Sequence, residues 1–294
     1  LNRHKNYNLM GGSTLTRDVL ASLSKLMFGF LGLVNLGLIY GYLVSQFIFF
    51  LLILFPFLKK MNLKRFLSEF RLRDYSGLLK KYIDFPRLNM PSDFLGTFSI
   101  QAPIIFIGII FSPAALGFYA LARSVLGIPI GLLSTSIGAV FQRKASEQFN
   151  KDGSFSILYR QTSTAVFLLG VIPVIISMLF LESIFILVFG SEWGTAGYFG
   201  AILSPLYLLR LVVKPLSFAF VITDHLRFDF FLMLAFAITS IGSLGAGFYY
   251  ASVDLAVYLI SASHSFCYLI YLYFGYQLSK GRKFKMQKNS YVGY

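Results

Sequence analysis

Residues 19–58 form a run of 40 with a single charge, Lys25. As helix this run would be about 60 Å long against a hydrocarbon core of about 30 Å, so it predicts two membrane spans with a hinge between them. The best hinge is Val34-Asn35-Leu36-Gly37. Six further apolar runs follow at about 89–111, 116–140, 162–181, 198–223, 228–250 and 253–278, for a total of eight. These runs are far too long for barrel strands, and backbone in lipid must satisfy its own hydrogen bonds, which selects helix. Composition agrees: 56% of residues are hydrophobic and 13% charged, where soluble domains carry about 25% charged residues. The expected fold class is an all-α polytopic membrane protein with about eight transmembrane helices.

The formal charge of +14 raises nucleic acid as a partner, and the location of the charges decides against it. All but four of the 26 Lys and Arg residues fall in alternate connections. With the N-terminus inside, the inner segments collect Arg3, Lys5 and Arg17, the cluster from Lys59 to Arg87, then Arg143, Lys144, Lys151 and Arg160, then Arg227, and finally Lys280 to Lys288. The outer connections near Asn35, at 112–115, 182–197 and 251–252 collect none. Positive charge of this kind marks the cytoplasmic side, so both termini are expected there. Trp193, the only tryptophan, lies in the longest expected outer loop, where an indole suits the headgroup level.

The inner segment 59–85 has Leu63, Phe66, Leu67 and Phe70, then Tyr75, Leu78, Leu79 and Tyr82, at helical spacing. It predicts a basic amphipathic linker helix on anionic inner-leaflet lipids, in preference to a calmodulin-like or nucleic-acid-binding segment. The expected organisation is therefore two spans over 1–58, the linker over 59–85, a second group of six spans over 86–280 and a basic tail over 281–294. The chain starts at Leu1 with no secretory signal pattern, which reads as a fragment of a longer protein. One cysteine, Cys267, permits no intrachain disulfide and no Cys/His metal set, so neither metal nor cofactor is expected.

The four basic residues left inside apolar runs are Lys25, Arg123, Arg210 and Lys214. An ion at a helix centre costs about 2.5 to 3.5 kcal/mol on the insertion scale. Lys25 and Arg123 lie near enough to a span end to snorkel. Arg210 is farther from both ends, and Lys214 one turn on shares its face, so the two repel unless an anion lies beside them. No Asp or Glu lies deep in any expected span: Asp18, Asp93, Asp224 and Asp229 are near inner ends, and Glu182, Glu192 and Asp254 are at or beyond outer ends. A phosphate-bearing substrate would supply the missing charge. The competing reading is that carbonyls freed by Pro205 and Pro215 accept these donors. Pro103, Pro129 and Pro173 also sit inside spans and permit bends. Ser261, Ser263, His264 and Ser265 form a polar patch in the last span, read as interhelical hydrogen-bond glue with His264 a minor functional candidate. The connections leave no room for a soluble catalytic domain, and no P-loop or HExxH string occurs, so a carrier is expected in preference to an enzyme. A membrane-embedded polysaccharide polymerase or acyltransferase is the enzyme alternative, with only Glu182, Glu192 and Asp254 to offer.

At the entry to the third expected span, KKYIDFPRLNMPSDF resembles the Y-x-D-F-P-x-x-N-x-P string of bacterial polysaccharide flippases of the Wzx or O-antigen transporter type. Gln101-Ala102-Pro103, FSPAALGFYALARSVLGIPIGLLSTSIGAVFQRKASE, FGSEWGTAG and ILSPLYLLRLVVKPLS are similar to blocks of that family in the same order, over about 37–279. The resemblance implies membership of the multidrug, oligosaccharidyl-lipid and polysaccharide exporter superfamily, with two six-helix lobes around a central cavity. About four helices would then precede this chain. It also implies an undecaprenyl-pyrophosphate-linked oligosaccharide as substrate, moved across the bacterial inner membrane, with polysaccharide polymerase and ligase machinery downstream. Arg123 and Arg210 match positions where such proteins carry cavity arginines, while Lys214 and Lys25 rest on the charge argument. A drug or lipid exporter of the same superfamily is the alternative carrier, disfavoured because export of cationic drugs calls for cavity carboxylates.

Overall fold

The computed structural model describes residues 19–28, 30, 37–60 and 85–281, all of whose regular elements are helical. The chain divides into two compact units, Leu1–Lys81 and Tyr82–Tyr294. Six helices among the described residues are long and apolar enough to cross a membrane, and all six lie in the second unit. The chain is thus an all-α, multi-pass membrane protein.

In the first unit the described residues give a short apolar helix α1 (Val19–Phe28) and a longer α2 (Gly37–Lys60), with the apolar stretch Ile39–Leu51 inside it. The two helices are pressed together at Gly41, where a Cβ would sit 2.7 Å from the Lys25 backbone nitrogen and 2.8 Å from its Cα. Only a glycine admits that approach. The hinge expected at 34–37 and the amphipathic linker expected at 59–85 lie outside the described residues, apart from Gly37, Lys59, Lys60 and Phe85.

The second unit contains α3 (Met90–Ile110), α4 (Pro113–Asp152), α5 (Ser156–Phe189), α6 (Gly194–Leu216), the short α7 (Phe218–Ile222), α8 (Leu226–Tyr249) and α9 (Val253–Ser279). Local chemistry sets their ends. Ser112 Oγ accepts the Ala115 amide at 3.1 Å with Pro113 opening α4, and Ser252 Oγ accepts the Leu255 amide at 3.2 Å to start α9. Gly153, at φ 66°, ends α4 in the left-handed conformation.

The helix ends differ from the expected span ends. Residues 141–161, expected as an inner loop, continue α4 and begin α5 around a hairpin at Gly153, Ser154 and Phe155. Residues 182–197, expected as the longest outer loop, are mostly the end of α5, a 3-10 turn at Ser191–Trp193 and the start of α6. Hydropathy marks where lipid contact stops, while helix hydrogen bonding continues past that point until a glycine ends it. The 40 residues of α4 and the 34 of α5 are about 60 Å and 51 Å long, well beyond the hydrocarbon core.

Helix α6 is the hub, packing most extensively on α5 and α4 and also on α9, while α8 packs on α3 and α9. Without a water-driven hydrophobic force between helices in lipid, small residues that permit close approach and hydrogen bonds between helices carry the assembly. Gly197 of α6 lies so close to α5 that a Cβ would come within 2.5 Å of Glu182 Cα. Ser261 Oγ donates to the Ile202 carbonyl at 2.6 Å, tying α9 to α6. At the end bearing Arg143, Lys144, Lys151, Arg160 and Lys280, the hairpin is held to α9 by Phe155 N–H donating to Ser279 O at 2.9 Å. At the same end Asp229 accepts from Ser92 Oγ and from the Tyr271 hydroxyl, each at 2.5 Å, joining α3, α8 and α9. The opposite end holds Glu182, Glu192 and Asp254, with Trp193 edge-on to Phe118 at 5.8 Å and Tyr198 bonded to Tyr258 at 3.1 Å.

Candidate functional site

Arg123 lies on α4 and Arg210 on α6, and the packing of these two helices brings both onto one small cavity. Its walls include Ser99 and Pro103 of α3, Tyr119 of α4, Tyr207 of α6, and His264 and Tyr268 of α9. Two of the tyrosines follow from helix periodicity: Tyr119 is four residues before Arg123 and Tyr207 three before Arg210, so each guanidinium sits beside a ring on its own helix. The Arg210 guanidinium carbon is 5.5 Å from the centre of the Tyr207 ring, a cation–π distance. The Tyr207 hydroxyl lies near enough to both arginines to feel their charge. Tyr119 and Tyr207 are buried, whereas both arginines are half-buried.

Arg123 Nη2–H donates to Gln101 Oε1 at 2.8 Å. Its Nη1 is buried and makes no hydrogen bond. Among the described residues no carboxylate pairs with Arg123, Arg210 or Lys214, and neither Arg210 nor Lys214 hydrogen-bonds a helix carbonyl, so the proline-freed carbonyls do not take these donors. Buried guanidinium N–H groups without an acceptor are costly. An anion in the cavity would relieve that cost, and an anion with several oxygens would do so bidentately.

His264 closes one side. Ser240 Oγ donates to the Ser99 carbonyl at 2.9 Å, and its single proton is thereby used. The 2.8 Å contact between Ser240 Oγ and His264 Nε2 therefore has the imidazole as donor. The chain α9–α8–α3 is a tie between helices, as read for this polar patch. Ser263 adds a longer 3.4 Å contact to Ser243, and Ser265 Oγ is buried without a partner. The cavity is tight, about 20 Å³, room for about one water.

Of the four cations singled out in the sequence, Arg123 and Arg210 line the cavity. Lys214 is exposed one turn further toward the basic end of α6, near enough to Arg210 to feel its charge, and it does not line the cavity. Lys25 belongs to the first unit, where its Nζ is 5.8 Å from the centre of the Tyr42 ring. The sequence reading did not single out Tyr119, Tyr207 and Tyr268, although their spacing from Arg123, Arg210 and His264 was available as a signal. Ser99 reaches the cavity, and Gln101 reaches Arg123, through the packing of α3, which no local spacing reveals.

No curated protein and no solved structure matches this chain. A family model described as "Polysaccharide biosynthesis protein" matches residues 1–197. The match takes in Lys25 and Arg123 and stops short of Arg210, Lys214 and His264, whose placement rests on the geometry above. With most of its 294 residues covered, the chain belongs to the family of polysaccharide biosynthesis proteins.

Proposed function

We propose that this protein is a flippase of the O-antigen transporter type, turning an undecaprenyl-pyrophosphate-linked oligosaccharide from the inner to the outer leaflet of the bacterial cytoplasmic membrane by alternating access. One observation carries the reading: two arginines from different helices converge on a cavity without a carboxylate, and one of them keeps a buried Nη1 without an acceptor. A pyrophosphate presents charge and oxygens in the form that such a pair would bind. The family assignment supplies the context, since polysaccharide biosynthesis needs lipid-linked intermediates moved between leaflets. The even separation of Arg143, Lys144, Lys151, Arg160, Arg227 and Lys280 from Glu182, Glu192 and Asp254 along the bundle supports a cytoplasmic basic end. Exposed on that side of Arg210, Lys214 would meet the incoming anion first.

The cavity as it stands is far too small for a pyrophosphate, so loading requires helices to part. Pro103 of α3 and Pro129 of α4 interrupt the hydrogen-bond ladders of two cavity helices and make such a bend less costly. The test is complementation of a flippase-deficient strain with the intact protein. An Arg123→Gln, Arg210→Gln double variant at equal membrane level should lose surface glycan about tenfold or more, since each charge-assisted contact is worth about 1.5 to 3 kcal/mol. Unchanged glycan from that variant would remove the basis of the reading.

A further inference from the structure

A second concavity, about 430 Å³, opens between α5 and α9 at the basic end of the bundle and is lined by Tyr159, Arg160, Ser163, Leu272, Tyr273 and Tyr276. Its size falls within the range of small-molecule sites. The two helix faces that border it are each graded from charge to oil. On α5, Arg160 is followed on the same face by Ser163 and then by the exposed Phe167. On α9, Lys280 precedes Tyr276, Tyr273 and the exposed Leu269 in the reverse direction along one face, with Lys280 Nζ 4.2 Å above the Tyr276 ring. The two gradients run side by side because α5 and α9 are antiparallel and joined there by the Tyr159 hydroxyl, which donates to the Leu272 carbonyl at 3.3 Å.

Arg160 is exposed and, among the described residues, has no carboxylate partner. The Tyr273 hydroxyl likewise has no partner among them. Ser163 Oγ donates to the Arg160 carbonyl at 2.9 Å, so its proton is committed; Arg160 and the Tyr273 hydroxyl line the concavity, and Lys280, which also donates to Gln277 Oε1 at 3.4 Å, stands beside it above the Tyr276 ring. These three match phosphate oxygens. A free phosphate would leave the adjoining Phe167 and Leu269 faces unused, whereas a phospholipid would lay acyl chain along them. Depth agrees, because Arg160 and Ser163 sit at the start of the apolar run of α5, expected from residue 162, the level at which headgroups lie.

We infer that this concavity is a binding site for an anionic phospholipid of the leaflet facing the basic end, with Arg160, Lys280 and the Tyr273 hydroxyl holding its phosphate. The site is separate from the arginine cavity, and its test reads lipid retention, which failure of the transport reading would leave untouched.

The experiment is native mass spectrometry of the intact protein released from nanodiscs of phosphatidylglycerol or of phosphatidylcholine, with inorganic phosphate as a third arm. Wild-type protein should retain one phosphatidylglycerol, at most a trace of phosphatidylcholine, and no phosphate. An Arg160→Gln, Lys280→Gln variant should retain phosphatidylglycerol about thirtyfold less, because each basic residue contributes about 1 kcal/mol toward an anionic lipid. Tyr273→Phe, which keeps the ring, should show a smaller loss in the same direction. An Arg143→Gln, Lys144→Gln variant removes the same charge from the same end outside the concavity and should retain lipid as wild type does. Equal retention by the Arg160, Lys280 variant, equal loss in the Arg143, Lys144 variant, or equal binding of inorganic phosphate would each overturn the assignment.

Discussion

Helices α5 and α6 lie against each other and could hardly be used more differently. In α5 only 11% of the apolar stretch is buried within the protein, against 56% in α6. Yet α5 is the more apolar of the two, with one bulky aliphatic side chain after another on its exposed face, while α6 carries Gly197, Gly200, Ser204, Tyr207 and Arg210. In water the most apolar helix would be the core. In lipid the order inverts, because the solvent is as oily as leucine and the interior is where small residues pack and polar groups find partners. A dip in hydropathy along a membrane chain is therefore a pointer to its working interior.

Substitutions on the two helices can break or sharpen that contrast. The largest effect is expected from Gly197→Leu in α6, where a side chain must displace the α5 backbone at Glu182. A loss of about 3 kcal/mol is expected from such overpacking, visible as a fall in folded protein by fluorescence-detected size exclusion. Folding at the wild-type level would mean that α6 is not the tightly packed member. Next comes Tyr207→Phe, which keeps the cation–π ring under Arg210 and deletes the polar hydroxyl near both arginines. On the transport reading, glycan export should drop roughly fivefold at unchanged expression, in keeping with about 1 kcal/mol for one polar contact. Export at the wild-type rate would show that the hydroxyl contributes nothing. The smallest effect belongs to α5: Leu187→Ala, at a side chain 86% exposed, should change thermal stability by less than about 0.5 kcal/mol. A larger shift there would reveal a protein contact on a face assigned to lipid.

Much of the second unit was legible in the sequence because hydropathy and helix period are local properties. All six expected spans after residue 86 are helices, and Ser261 and His264 of α9 act as ties between helices, whereas Ser265 finds no partner. Helix ends were less legible, since α4 runs on through Arg143, Lys144 and Lys151 to Gly153 with no change in backbone chemistry to announce where the lipid ends. Arg123 and Arg210 were each marked by the cost of a charge in oil, but their meeting on one cavity is set by how α4 crosses α6. Periodicity also placed Lys214 on the Arg210 face, and the cavity ends within that one turn. Tyr119 and Tyr207 were within reach of the same periodicity, while Gln101 and Ser99 arrive from α3 and required the tertiary structure.

The tightness of the arginine cavity has an energetic corollary. With Ser99, Ser240 and His264 fully engaged, and with space for about one water, drawing α3 away from its neighbours would sever contacts that lipid cannot replace. On the transport reading proposed above, the unloaded protein would rest shut. The work of prying it apart would fall to the cargo, and because the guanidinium groups offer most to a doubly charged phosphate chain, such a cargo would offset the severed contacts better than a neutral lipid. Selectivity and leak-tightness would then have one origin, a door that yields only to the traveller it was charged to admit.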